Sequence, residues 1–261
     1  MKKFIFTLAI FFFAISITKS QIVDLSYPAP SDSTKNEDKA VEILGKSFFD
    51  IFTNGNLQGT AQLLKINIGE PDGFNVPIFF LAGASGNGFS LESDKKNENT
   101  ISNLLNPIGG LFNGTWMGFY PFHTSKSGIT SLKVSVQIST KLLTADDSVS
   151  NDSEFLLSGY GNLGVFFQTG AWESTDKNNI GVFWIQAKAA ASVFFSGGDL
   201  KNIFGSALES KNFIGYSVDG GLAINKRINL KFGIYQYVNN QSLEILKKPV
   251  WKFSFDYNLK K

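Results

Sequence analysis

The stretch "PVWKFSFDYNLKK", residues 249–261, alternates strictly. Trp251, Phe253, Phe255, Tyr257 and Leu259 are interleaved with Lys252, Ser254, Asp256 and Asn258. Successive side chains of a strand point to opposite faces, so the large apolar groups share one side and the polar groups the other. Two structures read this way. One is a half-buried strand of a soluble sheet; the other is a stave of a barrel with lipid outside and water inside. The rest of the sequence has to decide between them.

The same alternation recurs upstream. "ITSLKVSVQISTKL" (129–142) sets Leu132, Val134, Val136 and Ile138 against Lys133, Ser135, Gln137 and Ser139. "INLKFGIYQYV" (228–238) opposes Ile228, Leu230, Phe232 and Ile234 to Asn229, Lys231, Gly233 and Tyr235. "NFIGYSVDGGLAI" (212–224) puts Ser217, Asp219 and Gly221 on one face, and "IGVFWIQAKAAASVFF" (180–195) does the same with Gln186, Lys188 and Ser192. Weaker segments cover 58–68, 73–84, 112–122 and 155–171, and with 46–53 and 249–259 the count is even. The predicted fold is all-β: a transmembrane antiparallel up-and-down β-barrel of about 10 strands, within a range of about 8–12.

Connection lengths point the same way. With the last strand running down, the turns "GEPD" (69–72), "HTSKSG" (123–128), "ESTDKNN" (173–179) and "NKR" (225–227) fall at one end. Connections 85–111, 143–154, 196–211 and 239–248 fall at the other, where only "NGNL" (54–57) is short. Outer-membrane barrels sort their loops in this manner, and a soluble sandwich has no reason to.

Residues 1–20 read as a secretory signal peptide: Lys2 and Lys3, then the apolar "FIFTLAIFFFAISI" (4–17). Residues 21–45 read as a polar tether, with "AVEILGKSFFDIF" (40–52) open to a helical or a strand reading, and 46–261 as the barrel. Of 24 basic and 22 acidic side chains, Lys2, Lys3 and Lys19 belong to the leader, so the remainder carries a net charge of −1. No basic patch argues for nucleic acid. The chain has no cysteine, which excludes a disulfide framework, a lipid-modified cysteine and a thiolate metal site.

The leader, the loop asymmetry and the terminal "VWKFSFDYNL" together resemble Gram-negative outer-membrane β-barrel proteins. The resemblance implies outer-membrane lipid around the wall, with Trp251 and Tyr257 in interfacial girdles. It also implies that the assembly machinery reads the C-terminal strand. No further protein partner is implied.

Chemistry-bearing motifs are sparse. His123 is the only histidine; with Ser125 and Ser127 beside it but no acid, it reads as a turn residue rather than part of a triad. One histidine also cannot make a His-based metal site. "GASGNG" (83–88) lacks the Lys-Ser/Thr of a phosphate loop. "TADDSVSNDSE" (144–154) offers carboxylates without calcium-loop spacing. "DLKNIFGSALES" (199–210) has helical spacing suited to a cap, lid or partner-binding helix, and the apolar "ISNLLNPIGGLF" (101–112) suits the barrel mouth. No metal and no cofactor are expected.

The expected function is a non-enzymatic outer-membrane barrel, either a narrow small-solute pore or a loop-bearing scaffold. The alternatives are a soluble exported barrel or sandwich binding an apolar ligand, and a membrane-embedded hydrolase. The candidate site is an inward polar network of Lys133, Gln137, Gln186, Lys188, Asp219, Lys231, Lys252 and Asp256. A hairpin centred near residue 243 or 244 would set Lys231 directly across from Asp256, with Asp219 one diagonal step away.

Overall fold

The computed structural model describes residues 41–257 apart from 44–46, 53–55, 70–74, 88–99, 102, 105, 107–108, 127–128, 148–152, 174–179, 197–199 and 226–227. The signal peptide and the tether up to residue 40 lie outside the described residues. β1 (Val41–Ile43) and β2 (Ser47–Phe52) lie end to end along β3 (Asn56–Gly69). "AVEILGKSFFDIF" is therefore strand, and the wall begins upstream of residue 46. β4 (Asn75–Asn87), β5 (Phe112–Thr124), β6 (Ser131–Asp146), β7 (Ser153–Glu173), β8 (Ile180–Ser196), β9 (Asn212–Ile224), β10 (Ile228–Tyr237) and β11 (Val250–Tyr257) follow. Each pairs antiparallel with the next, and β11 pairs with β2. The result is a closed ten-strand antiparallel barrel, with β1 and β2 sharing one position and the terminal aromatic strand paired on both sides.

The polarity of this barrel is inverted relative to a soluble domain. On β6 the inward Ser131, Lys133, Ser135, Gln137, Ser139 and Lys141 are buried, while Ile138 is 58% exposed. On β7 Leu163 is 59% exposed and Val165 51%. On β11 Trp251, Phe253 and Phe255 face outward, and Lys252, Ser254 and Asp256 are buried. The alternation is the same one visible in the sequence, with the apolar set outside.

Loop lengths differ from the sequence expectation at one place. β6 runs to Asp146 and β7 starts at Ser153, because Leu143 and Ala145 keep the inward alternation going and pair with Leu156 and Glu154. The connection shrinks to 147–152, no longer than 125–130 at the opposite end. The sorting of loops therefore rests on 88–111, 197–211 and 238–249.

The extended strands serve the loop end. β6, β7 and β8 span 16, 21 and 17 residues, longer than any other strand of the wall, where β3 reaches 14. Their excess wall packs against segments folded over the mouth. These are a helical turn within 100–104, α1 (Leu200–Phe204) and α2 (Glu244–Lys247). Ile101, Leu104, Ile203, Phe204, Leu243 and Leu246 join Leu143, Leu156, Phe194 and Phe213 in one apolar cluster. Phe194 stacks on Phe204 with ring centroids 5.6 Å apart and meets Phe213 edge-on at 5.7 Å. "DLKNIFGSALES" therefore supplies a rim cap, and "ISNLLNPIGGLF" a plug.

Candidate functional site

Side chains of eight strands converge below this cap. Lys133, Gln137, Gln186, Lys188, Asp219, Lys252 and Asp256 are buried, and the Lys231 side chain is 11% exposed. A buried charge is costly unless paired, and here the carboxylates are distributed among the lysines. Lys188 Nζ lies 2.6 Å from Asp219 Oδ2, Lys231 Nζ 2.6 Å from Asp256 Oδ2, and Lys252 Nζ 3.8 Å from Asp50 Oδ2. The Lys133 ammonium lies 5.9 Å from the centre of the Phe166 ring.

The β10–β11 register differs from the sequence expectation by two residues. Asn229, not Lys231, is opposite Asp256, and Lys231 is opposite Ser254. The ion pair forms on the diagonal, within reach of a lysine, and Asn229 Nδ2 donates to the same Asp256 oxygen at 3.3 Å. The β9–β10 register sets Asp219 opposite Gly233. A Cβ on Gly233 would lie 2.3 Å from Asp219 Oδ1, so the glycine makes room for that carboxylate. Asp219 turns to Lys188 and accepts from Tyr235 Oη at 2.8 Å, rather than serving Lys231.

Neutral groups knit the opposite wall. Gln186 Nε2 donates to Ser135 Oγ at 2.7 Å, Asn162 Nδ2 to Gln137 Oε1 at 3.0 Å, and Gln137 Nε2 to Ser139 Oγ at 3.0 Å. Trp184 Nε1 donates to Asn229 Oδ1 at 3.0 Å.

The plug binds into this network through residues that the sequence pattern does not single out. Lys141 Nζ donates to the carbonyls of Asn103, Leu104 and Asn106 at 3.1, 2.8 and 2.7 Å, and sits 4.0 Å over the Tyr160 ring. The Asn106 amide nitrogen donates to Gln58 Oε1 at 2.9 Å and to Asp50 Oδ2 at 3.2 Å, and its oxygen accepts from Lys252 at 3.2 Å. Gly110, with φ of 108°, turns the chain back so that Leu111 can pair with Gly83 and Leu142. Lys141 shares the inward parity of Lys133 and Gln137, and that was its available signal. Asn106 has none, because a loop carries no periodicity.

A cavity of about 40 Å³ is lined by Lys188, Asp219, Lys231, Tyr235, Lys252 and Asn106 among others. At ~10–15 Å³ per water, that is room for roughly three. A ten-strand lumen is wider than inward side chains alone fill, and Asn103, Leu104 and Asn106 of the plug reach the inward side chains Lys141, Asp50 and Gln58.

Among the described residues, the other motifs bring no reacting groups together. His123 is exposed at the end of β5, and Ser125 Oγ accepts from the backbone of Thr130. Asp146 Oδ1 accepts from Ser153 at 2.7 Å, tying the two strand ends. No group of three metal-ligating side chains occurs among the described residues. "GASGNG" is the end of β4 up to Asn87.

No family model and no curated protein matches the chain. Among solved structures it is similar to the NanC porin in a rhombohedral crystal form. The TM-score is 0.41 and the identity 8%, over 82% of this chain and 99% of that one.

Proposed function

We propose that this chain is a non-enzymatic outer-membrane β-barrel of a Gram-negative envelope, acting as a loop-bearing scaffold around a closed lumen rather than as an open pore. The observation that carries the reading is the inverted polarity of the wall. Ile138, Leu163, Val165, Phe232 and Phe253 are exposed around the barrel, while Lys133, Lys141, Lys188, Lys231 and Lys252 lie inside with Asp50, Asp219 and Asp256. In water that exterior would be a continuous apolar surface far beyond what a soluble monomer tolerates, and in lipid it is the required one. The same belt argues against the soluble exported binding protein.

Closure also removes the edge that such apolar strands would otherwise expose. β11, read by the assembly machinery, would be the last stave to join, through its pairing with β2. The filled lumen favours the scaffold over the narrow small-solute pore. Fractionation decides the location: the protein should stay in the membrane pellet after carbonate washing, need detergent for extraction, and shift on gels when heated. Recovery in the carbonate supernatant would refute it. In planar bilayers the purified protein should be silent, and steady single-channel steps would return the pore reading.

A further inference from the structure

Strand alternation turns Lys188 on β8, Lys231 on β10 and Lys252 on β11 into one part of the lumen. All three line the cavity of about 40 Å³ beside Asn106, and Asp219 is the one carboxylate among the described residues that line it. Asp256 and Asp50 hold Lys231 and Lys252 from outside that lining. The cavity therefore has three cations and one anion on its walls.

The charge around it does not balance. Lys188 meets Asp219 and Lys231 meets Asp256, both at 2.6 Å, while Lys252 lies 3.8 Å from Asp50. Lys141, bonded to the backbone carbonyl of Asn106, adds a cation held by neutral carbonyls. Four lysines thus face three aspartates, and one positive charge is left over. Away from bulk water such an excess is costly unless a counter-charge offsets it, and walls of one sign concentrate that counter-charge. We propose that the cavity is a binding site for one small monovalent anion of halide size.

Size and chemistry select that class. Room for roughly three waters admits a halide and shuts out phosphate, sulfate or a sugar acid. A cation is repelled by three ammoniums, and water alone fills the space without offsetting the charge. The neutral donors of the lining are turned to protein acceptors: Tyr235 Oη to Asp219, Gln186 Nε2 to Ser135 and Asn106 Nδ2 to Gln58 and Asp50. The ammoniums, with three N–H donors each, are the groups that would hold the anion.

This site goes beyond the membrane reading and does not depend on it. The test is thermal unfolding of the full chain, refolded into detergent at fixed ionic strength, with gluconate exchanged for chloride or bromide. A saturable rise in midpoint is expected, as for a ligand that binds the folded state only, with no such rise in sulfate. Lys252→Met should weaken the apparent chloride affinity about tenfold, and Asp219→Asn should strengthen it about tenfold. General destabilisation would not move the affinity in opposite directions. Crystals grown in bromide give a reading that needs no variant: one anomalous peak among Lys188, Lys231 and Lys252 is expected. If Lys252→Met or Asp219→Asn fails the heat-shift test for folding, the bromide crystals decide. A midpoint indifferent to chloride, an equal rise in sulfate, variants that shift affinity the same way or not at all, or a cavity holding water only in bromide would each overturn the proposal.

Discussion

Lys231 reaches Asp256 across a diagonal of the β10–β11 ladder, 2.6 Å from ammonium to carboxylate, while Ser254 holds the directly opposed position. The diagonal leaves Asp256 Oδ2 shared with Asn229 and keeps the Lys231 ammonium 5.4 Å from the Phe48 ring centre. One residue therefore ties β10, β11 and β2 together where the barrel closes.

Breaking that tie from one side should be worse than removing it. Lys231→Met leaves Asp256 a buried charge without its ion-pair partner, and a loss of about 3–5 kcal/mol is typical of such a cut. Adding Asp256→Asn should recover part of it, since the uncompensated charge goes too. A double-mutant cycle from urea unfolding in lipid vesicles measures the coupling. Strictly additive losses would mean that the pair is electrostatically idle.

Placing a charge on the outer wall tests which solvent that wall faces. Leu163 lies near the middle of β7 and points outward, whereas Phe155 points outward at its loop end. Leu163→Arg should cost about 2–4 kcal/mol in vesicles and Phe155→Arg about 0–1, because the penalty falls from midplane to interface. Equal small costs at both positions would place the wall in water.

The strands were legible because a period of two survives in any half-polar wall: each of the ten predicted segments overlaps a strand of the barrel. Register was less legible. Hairpin centring at 243 or 244 assumed a symmetric loop, but the strands end at Tyr237 and resume at Val250 around α2, and opposition shifts by two residues. The candidate network was half visible for a related reason. Lys188, Asp219 and Lys252 carry strand parity, whereas Asp50 sat in a segment readable as helix or strand. The polar anchor of the plug, Asn106, sits in an aperiodic loop. What fills a lumen is decided by tertiary contacts that alternation does not encode.

Gly233 is the position where a single methyl should disturb the network most locally. Its Cβ would overlap Asp219 Oδ1 and lie 3.3 Å from the Tyr235 ring. Gly233→Ala should therefore cost about 1–3 kcal/mol, as overpacking does, and displace Asp219 from Tyr235. Gly220→Ala is the control, because its Cβ meets nothing closer than a carbonyl at 3.5 Å. Unfolding midpoints of the two variants in the same vesicles give the comparison. Equal midpoints would show that Asp219 has room to move.

Lys141 is the residue on which closure of the lumen should turn. Its ammonium collects three carbonyls of the plug, at Asn103, Leu104 and Asn106, and no other described lysine holds that segment through its backbone. Lys141→Met keeps most of the stem's volume but leaves those carbonyls without their donor, at about 1–3 kcal/mol for each that stays buried and unpaired. The plug escapes that penalty by leaving the lumen, where water replaces the lost donor. Asn106 would then release Asp50, Gln58 and Lys252 together, opening the polar wall along its length. The apolar contacts of Ile101 and Leu104 oppose this release, so the variant should fluctuate between closed and open rather than stay open. In planar bilayers that predicts brief conductance bursts from Lys141→Met against a silent wild type, with protease cutting at 100–111 in the variant only. A silent, protease-resistant variant would mean that the apolar cap closes the barrel without help from the lysine.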